Sequence, residues 1–167
     1  MNGFTEHMSG ASEPRGAAER LLTWGESQAM LPLVGRVVQD VLRHRQRLAE
    51  LRPERDRLER RRHNLDWPQR QRRYLIQEEI LTADKELCAV EAELDALGVV
   101  LLDSDTGLAG FPTMVNNRPA FFSWLPAEAG LNYWNFADDT ARRPIPEDWT
   151  KPPIENTGRG RSKSRKG

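Results

Sequence analysis

The sequence has few of the residues that build disulfide frameworks and metal centres. Cys88 is the single cysteine in 167 residues, so no internal disulfide can form. The three histidines are His7, His44 and His63, and none has a partner residue at the spacing of a metal-ligand pair. We therefore expect no metal site and no cofactor.

Long hydrophobic runs are also missing. No apolar stretch approaches the roughly 20 residues that a membrane-spanning helix needs. The first thirty residues also lack the apolar stretch of at least about seven residues that is typical of a signal peptide. We therefore expect a cytoplasmic protein that does not associate with membranes.

Charge of both signs is abundant, and it is unevenly distributed although the net charge is zero. Between Arg43 and Arg73, twelve arginines stand against five acidic residues, a surplus of seven. Between Glu78 and Asp95, seven acidic residues stand against Lys85 alone. Residues 159–166 add five basic residues and no acid. The chain therefore has a basic zone, an acidic zone and a basic tail.

The clearest structural signal is a heptad pattern in the second third of the chain. Its apolar positions alternate steps of four and three residues, which is typical of a helix that packs a narrow seam against another helix. They are Ile76, Ile80, Ala83, Leu87, Val90, Leu94 and Leu97. The partner is predicted just upstream, where apolar residues recur from Val34 to Leu58. We expect Cys88 to pack beside this seam.

Capping signals set the helix boundaries. Thr23 with Glu26, and Asp66 with Gln69, each fit a capping box, and Gly98 is suited to end the second helix. Pro32 either breaks or kinks the first helix, and we favour a break; Pro53 is expected to bend or interrupt it. The predicted helices cover about 24–30, 32–62 and 67–97.

The region after Gly98 has the pattern of short strands. Val99–Leu102 is an apolar run, Ala120–Trp124 follows a turn at Asn116–Asn117, and Leu131–Phe136 is a further strand. The predicted fold class is α+β: a long antiparallel helical hairpin followed by a small antiparallel sheet packed at its base. The predicted organisation is a disordered arm over 1–20, the hairpin over 21–98, the β region over 99–149 in the same domain, and a disordered basic tail over 150–167.

Arginines near the predicted hairpin tip form the first candidate site. An antiparallel hairpin would gather them at one end, where their positive potential suits an anionic partner such as nucleic acid. These arginines are Arg55, Arg61, Arg62, Arg70, Arg72 and Arg73. The alternative is an ordinary solvated surface, because acidic residues are interleaved at spacings that permit ion pairs.

The second candidate site is the turn after the first strand with the aromatic residues near it. Asp103 and Asp105 are spaced like the carboxylates of haloacid-dehalogenase phosphatases, but Gly107 stands where that signature needs threonine or valine. The alternative is a turn in which aspartates bond nearby amides and Gly107 has positive φ. Residues that could line a pocket here are Trp124, Tyr133, Trp134, Arg142 and Arg143, although the aromatics also suit a sheet core.

Several segments, in this order, together resemble the bacterial domain of unknown function 2203 over residues 21–146. They are Leu31–Val34, Glu50–Pro53, Asp103–Leu108 with Phe111-Pro112, Phe122–Trp124, Tyr133–Asn135 and Arg142–Ile145. The resemblance implies a long helical hairpin followed by a short β region, and it implies no established activity. Family members tend to have Cys at position 123, His at 135 and Gly before the Arg-Pro pair. This chain has Ser123, Asn135 and Ala141-Arg142, so chemistry by a Cys–His pair is not expected of it.

Three hypotheses of function follow. The first is a non-catalytic interaction or scaffold protein that self-associates through its helices, because a seam is present without a convergent set of nucleophile, base or metal ligands. The second is an accessory nucleic-acid-binding protein that uses the Arg-rich tip and the basic tail. The third is an enzyme with a carboxylate site at Asp103 and Asp105.

Overall fold

The computed structural model describes residues 20–152, so the predicted N-terminal arm and most of the predicted tail lie outside the described residues. Two long helices, a sheet and a short final helix follow one another along the chain. They are α1 (Trp24–Arg60), a 3-10 turn (Arg62–Asn64), α2 (Trp67–Ala96), β1 (Val100–Asp103), β2 (Leu108–Val115), β3 (Arg118–Trp124), β4 (Tyr133–Phe136), β5 (Arg143–Pro144) and α3 (Glu147–Thr150). This architecture confirms the predicted fold class.

Both long helices begin at the predicted capping boxes. The Thr23 hydroxyl accepts a hydrogen bond from the Glu26 backbone N–H at 3.2 Å, and the Glu26 carboxylate accepts from the Thr23 N–H at 2.9 Å. Asp66 and Gln69 make the same reciprocal pair at the start of α2. Each box satisfies backbone donors that the first turn of a helix leaves without partners.

The predicted break at Pro32 is wrong, since α1 continues through both Pro32 and Pro53. A proline inside a helix removes a backbone hydrogen bond and costs about 3 kcal/mol. Both prolines lie on the exposed side of α1, where water can reach the carbonyl groups that lose their donors. Leu31 and Val34, which flank Pro32 in the sequence, are buried on the inner side of α1, and this burial keeps the helix continuous.

The two helices pack as the heptad pattern predicts. Ile76, Ile80 and Ala83 of α2 form one buried cluster with Leu48 and Leu51 of α1. Nearer the base, Leu94 joins the larger core that the helices share with the sheet. The prediction for Cys88 is wrong, because this residue is exposed rather than packed beside the seam.

The sheet is antiparallel, with its five strands in chain order. The β2–β3 turn is formed by Asn116 and Asn117, whose φ values of 50° and 60° match the type I′ geometry that hairpins favour. The sequence analysis predicts no strand at β5, which consists of Arg143 and Pro144. β5 is an edge strand of the sheet, and its Pro144 lies opposite Tyr133 of β4. A proline is tolerated in an edge strand because its missing N–H does not interrupt the hydrogen bonds between two central strands.

One face of the sheet packs on the base of the hairpin. Phe111, Phe122 and Trp124 share a buried core with Val34 and Val38 of α1. Trp149 of α3 closes the side of this core, with its ring 5.3 Å from that of Trp134 and 6.4 Å from that of Phe122. The small final helix thus completes the core although it has only four residues.

Gly107 and Gly98 form a matched pair for testing how tightly the β1–β2 turn packs on α1. Both have positive φ, +76° and +74°, where an added side chain costs about 1–2 kcal/mol. A Cβ on Gly107 would also lie 2.9 Å from Cγ1 of Val38, whereas one on Gly98 would meet nothing within 4 Å. We expect Gly107→Ala to lower the free energy of unfolding by about 1–3 kcal/mol more than Gly98→Ala does. Equal losses in urea denaturation would contradict the tight packing of this turn.

Candidate functional site

Part of the predicted Arg-rich tip is neutralised by carboxylates along the hairpin. Arg72 donates to both oxygens of Glu54 at 2.8 and 3.0 Å and to Glu79 at 2.8 Å. Arg73 donates to both oxygens of Glu59 at 2.7 and 3.1 Å. The hydrogen bonds from Arg72 and Arg73 lower the pKa of Glu54 and of Glu59, respectively. These two arginines therefore link α1 to α2 and leave little free charge for an anion.

The remaining predicted arginines differ in their partners. Arg55 pairs with Asp56 at 2.8 Å, and Arg62 lies 3.5 Å from Glu59. Arg70 donates through Nε to the backbone carbonyl of Leu65. Arg61 has no carboxylate within 4.0 Å among the residues that the structure describes. Within residues 20–152, four exposed arginines near this end of the hairpin have no carboxylate within 4.0 Å: Arg57 and Arg60 in the last turn of α1, Arg61 directly after it, and Arg70 near the start of α2.

The Asp103–Gly107 turn has the hydrogen bonds of a structural turn. The Asp103 carboxylate accepts from the backbone N–H of Asp105 at 2.9 Å and from that of Thr106 at 3.4 Å, and these bonds lower the pKa of Asp103. The Asp105 side chain is 85% exposed and pairs with Arg45 at 2.8 Å. A general acid needs a raised pKa and an enclosed position, so this geometry gives no support to a carboxylate site.

A groove of about 560 Å³ lies beside this turn, between it and the helices. Leu48 and Leu87 contribute apolar surface to it, and Arg45 and Arg52 lie at its edge. Both guanidinium groups are already paired, Arg45 with Asp105 and Arg52 with Asp84 at 2.9 Å. A ligand in this groove would therefore have to displace existing ion pairs.

The aromatic residues predicted to line a pocket are packed against one another or against arginines. Trp124 and Trp134 are buried in the core. The Arg143 guanidinium lies 5.3 Å from the ring centre of Trp134, and that of Arg142 lies 4.6 Å from the ring centre of Tyr133. Such contacts stabilise the outer edge of the sheet.

The outer face of the sheet carries a partly buried ion pair that the sequence did not reveal. Arg142 donates to both oxygens of Glu128 at 2.8 Å, to the Ser123 hydroxyl at 3.1 Å and to the Ser123 carbonyl at 2.9 Å. The two charged side chains are only 21% and 19% exposed. Arg142 therefore connects β3 with the loop before β4, as a bidentate pair with high geometric specificity.

This ion pair makes the stability of the fold sensitive to acid. Burial by itself raises the pKa of Glu128, but the hydrogen bonds from Arg142 and from the Leu125 N–H outweigh it, so the pKa lies below its ordinary value of 4.5. A carboxyl with a lowered folded pKa adds stability that is complete above the unfolded pKa and is lost as the pH falls through the folded value.

We therefore expect the urea midpoint to decrease as the pH falls below 4.5. Glu128→Gln should have a lower urea midpoint than wild type at neutral pH, because Arg142 loses its charged partner. Its urea midpoint should also decrease less as the pH falls, because the glutamine has no carboxylate to protonate. Parallel pH profiles for the two proteins would show that the pair does not couple folding to protonation.

The outward side of α2 carries a second apolar row, which the sequence analysis overlooked. Trp67, Tyr74 and Leu81 are 70%, 69% and 61% exposed, and they follow one another at seven-residue steps. Cys88, the next residue at this step, is also exposed. At about 100° per residue, the row lies roughly 150° around the helix from the seam that packs on α1. We call these four residues the outward row.

The outward row is flanked by further apolar surface and by charge. Leu75, next to Tyr74, is 48% exposed. Arg73 lies 5.9 Å from the Tyr74 ring centre. A row of large exposed side chains at heptad spacing on one helix face is typical of a surface that packs against another helix. Of the surfaces described above, it is the best candidate for function.

Comparison with protein families assigns the chain to one of them. Residues 20–145 match the family described as "Uncharacterized conserved protein (DUF2203)". The chain belongs to the DUF2203 family. The matched region includes both long helices and the whole sheet, so the outward row lies within it. Comparison with curated proteins gives no match, and comparison with solved structures gives none either.

Ser123 and Asn135, at positions where the family resemblance implies Cys and His, lie on the same sheet face. Ser123 is opposite Tyr133 and Asn135 is opposite Phe121, so they are diagonal neighbours on adjacent strands. The Ser123 hydroxyl accepts from Arg142, and the Asn135 amide donates to the carbonyls of Phe136 and Asp139. The Asn135 oxygen is buried and has no partner among the described residues. In this chain both side chains therefore stabilise loops.

Residues 20–152 contain no group of three or more His, Cys, Asp or Glu side chains arranged to hold a metal ion. Within the same range, neither long helix is apolar enough over its length to cross a lipid bilayer.

Proposed function

We propose that this DUF2203 chain is a non-catalytic interaction or scaffold protein that associates with a second copy of itself through the outward row of α2. The observation that supports this most directly is the exposure of Trp67, Tyr74 and Leu81 on the helix face opposite the seam. Burying a large apolar side chain contributes about 1.5–3 kcal/mol, so leaving three of them in water on one face forgoes substantial free energy.

A second copy is the partner that best fits the shape and charge of this surface. The outward row lies nearly opposite the seam, so two copies that pack through it place their α2 helices side by side at the centre and their α1 helices outside, which buries an apolar stripe of each α2. A two-fold axis uses the same patch on both copies, so one row is sufficient. The net charge of zero does not oppose such pairing.

Nucleic-acid binding at the hairpin tip is the competing proposal. Its support is the set of exposed arginines at the turn, such as Arg61 and Arg70, that lack carboxylate partners among residues 20–152. Against it, Arg72 and Arg73 are held by glutamates. Phosphate binding would also leave the outward row of α2 without a partner.

Light scattering on the full chain tests the proposal. At low micromolar concentration we expect a mass of twice 19.1 kDa, decreasing towards the monomer on dilution. A monomer throughout the micromolar range would contradict self-association. A monomer that binds single-stranded DNA with an affinity that weakens steeply with salt would favour the competing proposal instead.

A further inference from the structure

We infer that the outer part of the hairpin, residues 53–75, opens as a unit separate from the rest of the fold, and that binding of a second copy closes it. We call this segment the distal hairpin, and it is closed when its two helices lie side by side. Separate opening follows from the packing within one copy, whereas closure by a second copy rests on the proposed self-association.

Apolar packing along the hairpin decreases from the base to the turn. At the base the helices share the large core with the sheet, and the second cluster ends with Leu51 of α1 and Ile76 of α2. Of the apolar side chains in residues 53–75, only Leu58 and Leu65 are shielded from solvent. Leu58 is partly buried against the second cluster, and Leu65 is buried but belongs to neither cluster. Apolar burial therefore contributes little to closure of the distal hairpin.

Two ion pairs join the helices within the distal hairpin. Arg72 binds both oxygens of Glu54, and Arg73 binds both oxygens of Glu59, at distances between 2.7 and 3.1 Å. These four side chains are between 33% and 43% exposed. Ion pairs that water can reach contribute little stability, although their bidentate geometry fixes how the two helices align. Closure of the distal hairpin therefore depends on polar contacts that water can replace.

Pro53 lies where the distal hairpin joins the rest of α1. Like Pro32, it removes a backbone hydrogen bond from the helix. Leu31 and Val34 hold the helix to the core around Pro32. On the turn side of Pro53, the next apolar side chain is the partly buried Leu58. Because helices bend most easily at a proline, α1 can open at Pro53 without disturbing the base.

Charge at the turn opposes closure. Among residues 20–152, Arg57, Arg60, Arg61 and Arg70 have no carboxylate within 4.0 Å. Closure brings the last turn of α1 beside the first turns of α2, and it gathers these like charges at one end of the molecule. Separation of the two helices relieves this repulsion.

The outward row crosses the boundary of the distal hairpin. Trp67 and Tyr74 lie within the distal hairpin, whereas Leu81 and Cys88 lie in the part of α2 nearer the base. An open distal hairpin leaves the first turns of α2 without the helix that supports them, and short unsupported helices are unstable in water. A second copy that binds the whole row therefore selects the closed conformation. By linkage, its binding stabilises α1 in the distal hairpin as well as α2.

Native-state hydrogen exchange on the full chain tests separate opening. We compare the distal amides, residues 55–60 and 71–75, with the basal amides, residues 34–41. At a concentration where the protein is monomeric, the distal amides should exchange at least about a hundredfold faster and share one dependence on urea. Equal protection of both sets would overturn the inference. Exchange that becomes gradually faster towards the turn, independently in each helix, would show simple fraying and would also overturn it.

Three variants test what holds the distal hairpin closed. Glu54→Gln with Glu59→Gln removes the charge from both cross-helix pairs and should make the distal amides exchange about tenfold faster. Pro53→Ala restores a helix hydrogen bond and should slow the same amides by about tenfold or more. The matched control, Glu93→Gln with Asp95→Asn, removes two negative charges at exposed positions of α2 near the base and should leave them unchanged. Distal exchange that responds to neither of the first two variants would contradict the inference.

Exchange measured at rising concentration tests closure by the second copy. As light scattering shows a dimer forming, the distal amides of α1 and α2 should slow together by about tenfold or more. Slowing confined to α2 in a dimer would overturn closure by the second copy and leave the proposed function standing. A monomer at every concentration would overturn the proposed function and closure together, while separate opening of the distal hairpin is decided by the monomer data alone.

Discussion

Replacing Tyr74 and Leu81 together by glutamate is expected to leave a monomer that folds like wild type. Both side chains face solvent within one copy, so their loss removes little internal packing. In the proposed dimer each is buried twice because of the two-fold axis, and four glutamates would meet in its core. We therefore expect the dissociation constant to increase by about a hundredfold or more.

The matched control for this variant is Leu33→Glu. Leu33 is an exposed leucine on α1, away from the outward row, and its replacement should leave the dimer intact. Circular dichroism should show the same helix content in wild type and both variants. A double variant that dimerises like wild type would show that Tyr74 and Leu81 do not form the interface.

Replacing Phe111 by alanine is expected to cause the largest loss of stability. Phe111 is fully buried in the middle of β2, where it packs between the sheet and the hairpin. Truncating a buried phenylalanine typically costs about 3–5 kcal/mol, from lost burial and from the cavity that remains. Because small domains are stable by only about 5–15 kcal/mol, this change should bring the fold close to unfolding.

Met114→Ala is the control on the same strand. Met114 is exposed, and its position in the strand points it to the other face from Phe111. Its loss should change the free energy of unfolding by less than about 0.5 kcal/mol. Similar urea midpoints for the two variants would show that the sheet face carrying Phe111 is not the one packed on the helices.

The features predicted correctly from sequence are those set by near neighbours. The capping pairs Thr23–Glu26 and Asp66–Gln69 act over three residues, and the Asn116–Asn117 turn over two. The hairpin followed because a heptad repeat needs a second helix and the short polar connection leaves only an antiparallel neighbour. In each case the physical cause lies inside a short window of sequence.

The features missed are those decided by contacts between distant residues. Pro32 predicts a break by its own chemistry, but the helix continues because its opposite face is buried in the core. The pair of Arg142 with Glu128 joins segments on either side of β4, and nothing in the sequence distinguishes it from other possible pairs. Trp149 becomes a core residue only because α3 folds back over the sheet.

The outward row was missed for a different reason. α2 carries apolar residues on two sides, and periodicity alone does not determine which side packs on α1. The seam residues follow the more regular pattern, and the seven-residue steps between Trp67, Tyr74 and Leu81 form a second, shorter row in the same sequence. Only the exposure of each side chain in the folded hairpin separates the two stripes.

Hydroxyl-radical footprinting of the full chain at low and high concentration tests the central claim most directly, because it measures the solvent exposure of the outward row itself. We expect Trp67, Tyr74 and Leu81 to become protected as the concentration rises, while the exposed Met114 reacts equally at both concentrations. Undiminished reactivity of Tyr74 and Leu81 at a concentration where light scattering shows a dimer would contradict it.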